Sequence, residues 1–339
     1  MSAAQHIAEI RKQYGSKLAI LAHHYQADNV VLHADILGDS LELARRIDGL
    51  DAQHIVFCGV HFMAETAAIL ARDGQKVHIP DANASCVMAD MVPALLAEAV
   101  LGRLQAEGAK IIPLTYVNSS AAVKAVCGRH GGSVCTSANA KTMLRWAMAQ
   151  GDGVLFMPDA NLGRNTAKTL GISAEQSLYL NVSKGGSLIA PADRNIKLYL
   201  WPGLCAIHHK FKPAHIQAAR TTHPDSLVLV HPECAPELVA LVDGAGSTSY
   251  LIKEVAAAKS GSTIYVGTEW NLVNRLAAQY PDKKIIPLYS TTCSNMAKVT
   301  ETNLLRQLQT LEQAVPVTVD SHIAEPARHA LERMLDACR

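Results

Sequence analysis

The chain has 339 residues, 49% of them apolar and 18% charged, so it can bury a large core, and its length suggests two or three domains. A formal net charge of +1, with no Lys/Arg run longer than a pair, speaks against a broad nucleic-acid surface, and no apolar stretch is long enough to span a bilayer. Eight cysteines without a secretory leader point to a reducing, cytoplasmic setting, where thiols act as ligands, nucleophiles or packing rather than as disulfides.

Met1 to Gly15 places Ile7, Ile10 and Tyr14 at helical spacing with Glu9, Arg11 and Lys12 between them, which predicts an amphipathic helix. Leu18-Ala-Ile-Leu-Ala-His23-His24-Tyr25-Gln26 then reads as a strand ending in polar groups. The same form returns at Ile111-Ile-Pro-Leu-Thr-Tyr116-Val-Asn118-Ser119-Ser120 and at Leu227-Val-Leu-Val-His231-Pro-Glu233-Cys234. A helix is expected after each, followed by Gly38-Asp39-Ser40, Cys135-Thr136-Ser137 and Gly246-Ser247-Thr248, each opening a further helix. The gaps from first polar residue to serine are 17, 21 and 16 residues.

Second halves also correspond, since Ile55-Val-Phe-Cys-Gly59 resembles Thr263-Ile-Tyr-Val-Gly267. From those starts 31 residues lead to Cys86 and 30 lead to Cys293, whereas the middle copy takes 51 residues from Val154 to Cys205, implying an insertion around 172–196. Each cysteine closes one local pattern: a lysine (Lys76, Lys197, Lys284), a short apolar run broken by proline, then a turn. Segments 90–107 and 207–220 read as joining helices, and 295–339 as largely helical with a break near Pro316.

Short apolar runs alternating with helices indicate βα units and parallel sheets. The expected fold is α/β, with three pseudo-threefold-related domains of short parallel sheets around a central site. The expected divisions are 1–88 (including the N-terminal helix), 89–205 with the insertion, 206–293, and a helical tail over 294–339. Ligands of parallel α/β sheets gather beyond the carboxyl ends of the strands, where these polar groups and cysteines lie. Neither G-x-G-x-x-G after a strand nor a P-loop motif is present.

Three convergent thiolates without a fourth suit an iron–sulfur cluster that leaves one iron open to substrate. A closed structural zinc site would need paired C-x₂₋₄-C ligands, which Cys86, Cys205 and Cys293 do not form, although His208 and His209 beside Cys205 keep a zinc reading open. Cys58 lies within an apolar strand and Cys338 in the tail. Cys127 and Cys135 flank Gly128-Arg-His-Gly-Gly132, a spacing compatible with a metal or with plain packing, and Cys234 follows His231-Pro-Glu233.

Together, His23-His-Tyr25-Gln, Gly38-Asp-Ser40, Cys86-Val-Met-Ala-Asp-Met91, Tyr116-Val-Asn118-Ser-Ser-Ala, Thr136-Ser137-Ala-Asn139-Ala, Asp159-Ala-Asn-Leu-Gly-Arg164, Cys205-Ala-Ile-His208, His231-Pro-Glu233-Cys234, Gly246-Ser247-Thr248 and Cys293-Ser-Asn-Met296 span almost the whole chain. In these motifs it resembles the quinolinate synthase family. The resemblance implies a [4Fe–4S] cluster on Cys86, Cys205 and Cys293. It also implies condensation of iminoaspartate with dihydroxyacetone phosphate to quinolinate, releasing phosphate and water, as a transferase of NAD biosynthesis. Tyr25, with His23 beside it, takes the place of the family's acid/base tyrosine, and Glu233 supported by His231 is a further base. His23, Ser40, Tyr116, Asn118, Ser137, His208, His231, Glu233, Ser247 and Thr248 are the expected substrate contacts. An undercoordinated iron exposed to oxidants predicts oxygen sensitivity, and the instability of iminoaspartate in water points to functional coupling with an aspartate-oxidising enzyme. A cluster-dependent hydro-lyase and a non-enzymatic iron–sulfur sensor are the competing readings.

Overall fold

Apolar runs with no alternation become strands covered on both faces, as parallel sheets require. The structure, a computed structural model, describes residues 1–338. Its strands form three all-parallel sheets of four, five and four strands. The first sheet has β1 (Leu18–His23), β2 (Ile36–Gly38), β3 (His54–Cys58) and β4 (Lys76–His78) in the order β2-β1-β3-β4. The second has β5 (Ile111–Tyr116), β6 (Ser133–Cys135), β7 (Gly153–Met157), β8 (Ser177–Tyr179) and β9 (Leu198–Leu200) in the order β6-β5-β7-β9-β8. The third has β10 (Leu227–Val230), β11 (Gly244–Ala245), β12 (Thr263–Gly267) and β13 (Lys284–Pro287) in the order β11-β10-β12-β13.

Once β8 is set aside the strand order is the same three times. β8 belongs to the 172–196 insertion and pairs with β9 through Leu178↔Tyr199, so the longer middle copy adds an edge strand, with Tyr179 48% exposed on it. The edge strands β2, β6 and β11 have two or three residues and escape the sequence reading, which saw only the turn chemistry after them.

The central strands β1, β3, β5 and β7 are buried along their whole length. One hydrophobic core runs through the first two sheets and takes in Leu304, Leu308, Leu331 and Met334 of the C-terminal helices. The third sheet has its own core on each face: Phe211, Ile216, Val228, Val230 and Leu238 on one, Leu251, Val255, Val266, Leu272 and Leu276 on the other.

Helices Glu301–Gln309 and Ser321–Ala337 flank a non-helical stretch at 310–320 that contains Pro316. The last helix is docked rather than loose. A Cβ at Gly128 would lie 1.7 Å from the Pro326 carbonyl oxygen, so the two helices meet backbone to backbone only because residue 128 has no side chain. Ser133 Oγ donates to the Ala330 carbonyl at 2.9 Å, and Arg333 Nη1 donates to the Gly132 carbonyl at 2.7 Å.

Candidate active site

The carboxyl ends of all three sheets open on one cavity. It is lined by residues from each unit, among them His23, Tyr25, Tyr116, Asn118, His231 and Glu233. Cys86, Cys205 and Cys293 also line it, each on the turn that follows the last strand of its unit, β4, β9 and β13.

Local hydrogen bonding makes the three cysteines equivalent. The first residue of the preceding helix donates its N–H to the carbonyl two residues before each thiol: His61 to Ala84 at 2.7 Å, Ala160 to Gly203 at 3.0 Å, Trp270 to Thr291 at 3.0 Å. The cysteine carbonyl then accepts from the residue four further on: Asp90 at 3.1 Å, His209 at 2.9 Å, Ala297 at 3.0 Å. Each turn thereby aims two backbone N–H groups at its own sulfur, from Met88 and Ala89 at Cys86, Ile207 and His208 at Cys205, and Asn295 and Met296 at Cys293. Such donors favour the thiolate, yet burial outweighs them and raises all three thiols, Cys86 to about 12.

A carboxylate braces two of the turns. Asp159, fully buried, caps the Ala160–Thr169 helix by accepting Leu162 N–H at 2.6 Å and accepts Cys205 N–H at 3.1 Å. Glu269 accepts Asn271 N–H at 2.7 Å and Cys293 N–H at 3.4 Å. In the first unit the corresponding N-cap is Val60, which has no side-chain cap to offer.

Two histidines repeat a second pattern. His23 Nδ1 accepts the Tyr25 N–H at 3.2 Å, and His231 Nδ1 accepts the Glu233 N–H at 3.4 Å. Each neutral ring therefore carries its proton on Nε2 and is a hydrogen-bond donor. Burial holds both rings neutral: His23 is lowered to about 3 by desolvation and the nearby His24, and His231 well below its usual value by desolvation and its neighbour His208. His208, lowered to about 3 by burial, stacks on His231 with centroids 4.3 Å apart.

Glu233 is 2% exposed and faces the cavity. Tyr116 Oη donates to its Oε1 at 2.7 Å, its Oε2 has no partner in the protein, and burial lifts its pKa to about 7. The turn that carries it is clamped from the second unit: Asn165 Nδ2 donates to the Pro232 and Cys234 carbonyls at 2.8 and 2.9 Å, and Asn161 Nδ2 donates to the Glu233 carbonyl at 3.2 Å. Tyr25 Oη sits between Thr268 Oγ1 at 2.7 Å and Thr248 Oγ1 at 3.2 Å, and desolvation raises its pKa.

Of the sequence-predicted residues, His23, Tyr25, Ser40, Cys86, Tyr116, Asn118, Ser137, Cys205, His208, His231, Glu233, Thr248 and Cys293 all line the cavity. Ser247 does not; its hydroxyl caps the Thr248–Ala257 helix by accepting Tyr250 N–H at 3.2 Å. Asp39, Thr136, Ser294 and Asn295 line it without having been singled out, although all four sit inside quoted motifs. No lysine or arginine lines the cavity among the described residues. The start of the Thr248–Ala257 helix supplies the positive end there instead, whereas at the Ser40–Ile47 helix the Leu41 and Glu42 N–H groups are already taken by the Asp39 carboxylate.

The donor set fits a metal group. Three thiols made equivalent by their turns, each with N–H groups directed at sulfur, sit beside the orphaned polar atoms Glu233 Oε2, His208 Nδ1 and Asn118 Oδ1. Cys205, His208 and Glu233 also place one ligand atom each within 4.8 Å of one another, an alternative grouping for a single ion. Cys127, Cys135 and Cys234 are fully buried in the core and do not reach the cavity.

Fold and cavity define an enzyme class: three like α/β units enclosing one site that combines metal-ligand donors with neutral histidines, phenols and a carboxyl poised near neutrality. The family model described as quinolinate synthetase A protein matches residues 5–336, and the chain belongs to that family. It is 46% identical over 339 residues to the quinolinate synthase of Halalkalibacterium halodurans, covering 98% of this chain and 92% of that protein. It is 45% identical over 336 residues to that of Lysinibacillus sphaericus, covering 97% and 92%. No helix among the described residues is long and apolar enough to cross a membrane.

Proposed function

We propose that this chain is a quinolinate synthase, condensing iminoaspartate with dihydroxyacetone phosphate to quinolinate and releasing phosphate and water, as a step of NAD biosynthesis in the cytoplasm. The observation that carries the reading is the meeting of three equivalently held cysteines with Tyr25 and Glu233 in one cavity. The family match supports it.

Cys86, Cys205 and Cys293 would hold a [4Fe–4S] cluster, which when bound supplies an iron without a thiolate as a Lewis acid. The chain's own groups then divide the work. Glu233, half ionised near pH 7, takes a proton from carbon or nitrogen at its unpartnered Oε2 while Tyr116 holds Oε1. Tyr25, its phenol held protonated by burial, donates that proton directly to departing oxygen, while Thr248, which donates to Tyr25 Oη, and Thr268 hold the hydroxyl in place. His23 and His231 stay neutral and donate from Nε2 to substrate oxygens. Ser40, Ser137, Thr248 and Asn118 bind carboxylates and phosphate through hydroxyl and amide groups, with the N-terminus of the Thr248–Ala257 helix in place of cationic side chains. The buried wall of Phe62, Met63 and Met88 excludes water from a labile imine. That lability calls for an aspartate-oxidising reaction supplying the imine close in time, and an iron open to substrate entails oxygen sensitivity.

A single ion on Cys205, His208 and Glu233 is the second reading, because those three atoms cluster. The test is anaerobic incubation of iron–sulfide-reconstituted protein with dihydroxyacetone phosphate and freshly generated iminoaspartate, with mass-spectrometric detection of quinolinate and metal analysis. Quinolinate from the wild type and none from Cys205→Ser, with iron and sulfide bound, is the expected result. An iron-loaded protein that makes no quinolinate but dehydrates a hydroxy acid would make it a hydro-lyase, and one zinc without iron would favour the single-ion site.

A further inference from the structure

The loop that carries Tyr25 belongs to the first unit, but what holds it comes from the third. On the Trp270–Gln279 helix, Arg275 donates from Nη1 to the His24 carbonyl at 2.8 Å, from Nη2 to the Gln26 carbonyl at 2.6 Å, and from Nε to Asp28 Oδ1 at 2.6 Å. One turn earlier, Asn271 Nδ2 donates to the Tyr25 carbonyl at 3.0 Å. Residues 271 and 275 share a helix face, so one surface captures three successive carbonyls, at 24, 25 and 26. Just before the helix, Thr268 hydrogen-bonds the Tyr25 hydroxyl and Glu269 accepts the Cys293 N–H. The five donors of a guanidinium form a rigid fork, which suits it to fixing two carbonyls and a carboxylate at once, something a lysine ammonium does not do with one geometry. The Arg275 side chain is only 17% exposed, against 66% for Asp28, so its place is set by the loop rather than by that surface acid.

We infer that Arg275, with Asn271, is a positioning residue for Tyr25, holding the phenol in register with the Cys293 turn across the boundary between the first and third units. The inference rests on the acid/base role proposed for Tyr25. Arg275 does not line the cavity and reaches Tyr25 through the His24 and Gln26 carbonyls of its loop. Misplacing a catalytic group by about 1 Å is enough to slow turnover on the order of 100-fold.

The experiment compares wild type, Arg275→Met, Arg275→Lys, Tyr25→Phe and the Arg275→Met/Tyr25→Phe double variant as reconstituted, iron-loaded enzymes. Quinolinate is followed under single-turnover conditions with enzyme in excess, so that slow variants stay measurable, together with steady-state KM and iron content. Arg275→Met is expected to lower the rate on the order of 100-fold with KM and iron content close to wild type, and Arg275→Lys to recover only part of it. The double variant is expected to be no slower than Tyr25→Phe, because a misplaced phenol and a missing one are the same defect. A double variant slower than Tyr25→Phe by the full Arg275→Met factor overturns the inference, as does an Arg275→Met enzyme that keeps its rate or loses only iron. Should Arg275→Met not fold, Arg275→Lys in the same cycle decides the matter. A Tyr25→Phe enzyme as fast as wild type refutes the role of Tyr25 itself, whatever Arg275 does.

Discussion

Tyr116→Phe tests how the charge on Glu233 is controlled. The substitution removes one oxygen, which donates to Glu233 Oε1 at 2.7 Å inside a pocket where both residues are buried. A hydrogen bond to a charged partner contributes about 1.5–3 kcal/mol, and one pKa unit corresponds to about 1.4 kcal/mol, so the carboxyl should rise by about one to two units. Starting from about 7, it would reach roughly 8 to 9. At pH 7 the ionised fraction then falls by about 5-fold to 50-fold, and kcat/KM falls with it, whereas at pH 9 much of the loss is regained. The assay is the pH profile of kcat/KM for quinolinate formation under anaerobic conditions. An activity loss of equal size at every pH, with the midpoint of the acidic limb unmoved, would refute the reasoning and leave Tyr116 as a substrate contact only.

Asn165→Ala removes both hydrogen bonds that clamp the Pro232 and Cys234 carbonyls; it should destabilise the fold by about 1–3 kcal/mol and lower kcat, measured by urea midpoint and turnover together. Gly128→Ala forces a Cβ against the Pro326 carbonyl, and the last helix must shift; a loss of about 3 kcal/mol or more is expected, and an unchanged urea midpoint would contradict the docking. Stability of the cluster-free protein should peak near pH 6.5. Below that value His23, His54, His78, His208, His215 and His231, all lowered by burial, resist protonation when folded but protonate when unfolded, while Asp159, raised by burial, and Glu233 and Glu269, both raised to about 7 by burial, hold protons only when folded. Six lowered histidines outnumber three raised carboxyls, so stability is lost as pH falls toward 4.5, and it declines again as pH rises from 6.5 through 7. Urea titrations across pH 5–8 read both limbs, and a curve flat from 5 to 8 would contradict the buried neutral histidines.

Much of the candidate site was legible along the chain because its parts are local. A strand that ends in His23-His-Tyr25 or His231-Pro-Glu233 must release its polar residues at the sheet's carboxyl edge, and a Lys…Pro…Cys run places its thiol on the turn after a strand wherever the sheet happens to sit. The recurrence of both patterns carried the α/β class and the three cysteines. The short strands β2, β6 and β11 were not legible, since two or three residues have no periodicity to read and exist as strands only by pairing with β1, β5 and β10. Ser247 shows the limit from the other side: a serine before a helix reads equally as an anion contact or as a cap, and the structure shows its hydroxyl accepting the Tyr250 N–H.

What the tertiary structure alone decided is how the three units brace one another. Asn161 and Asn165 look like ordinary helical residues until the second unit meets the 232–234 turn, and Arg275 looks like a solvated helix charge until it meets the carbonyls of residues 24 and 26. Thr268 reaches Tyr25 only because the first and third sheets face each other. Local chemistry is written in residues close along the chain, and strands, turns and caps follow from it. The raised carboxyl of Glu233, the neutral histidines and the held phenol of Tyr25 arise from desolvation and hydrogen bonds between residues a hundred or more positions apart, which the chain order does not encode until the sheets close on one another.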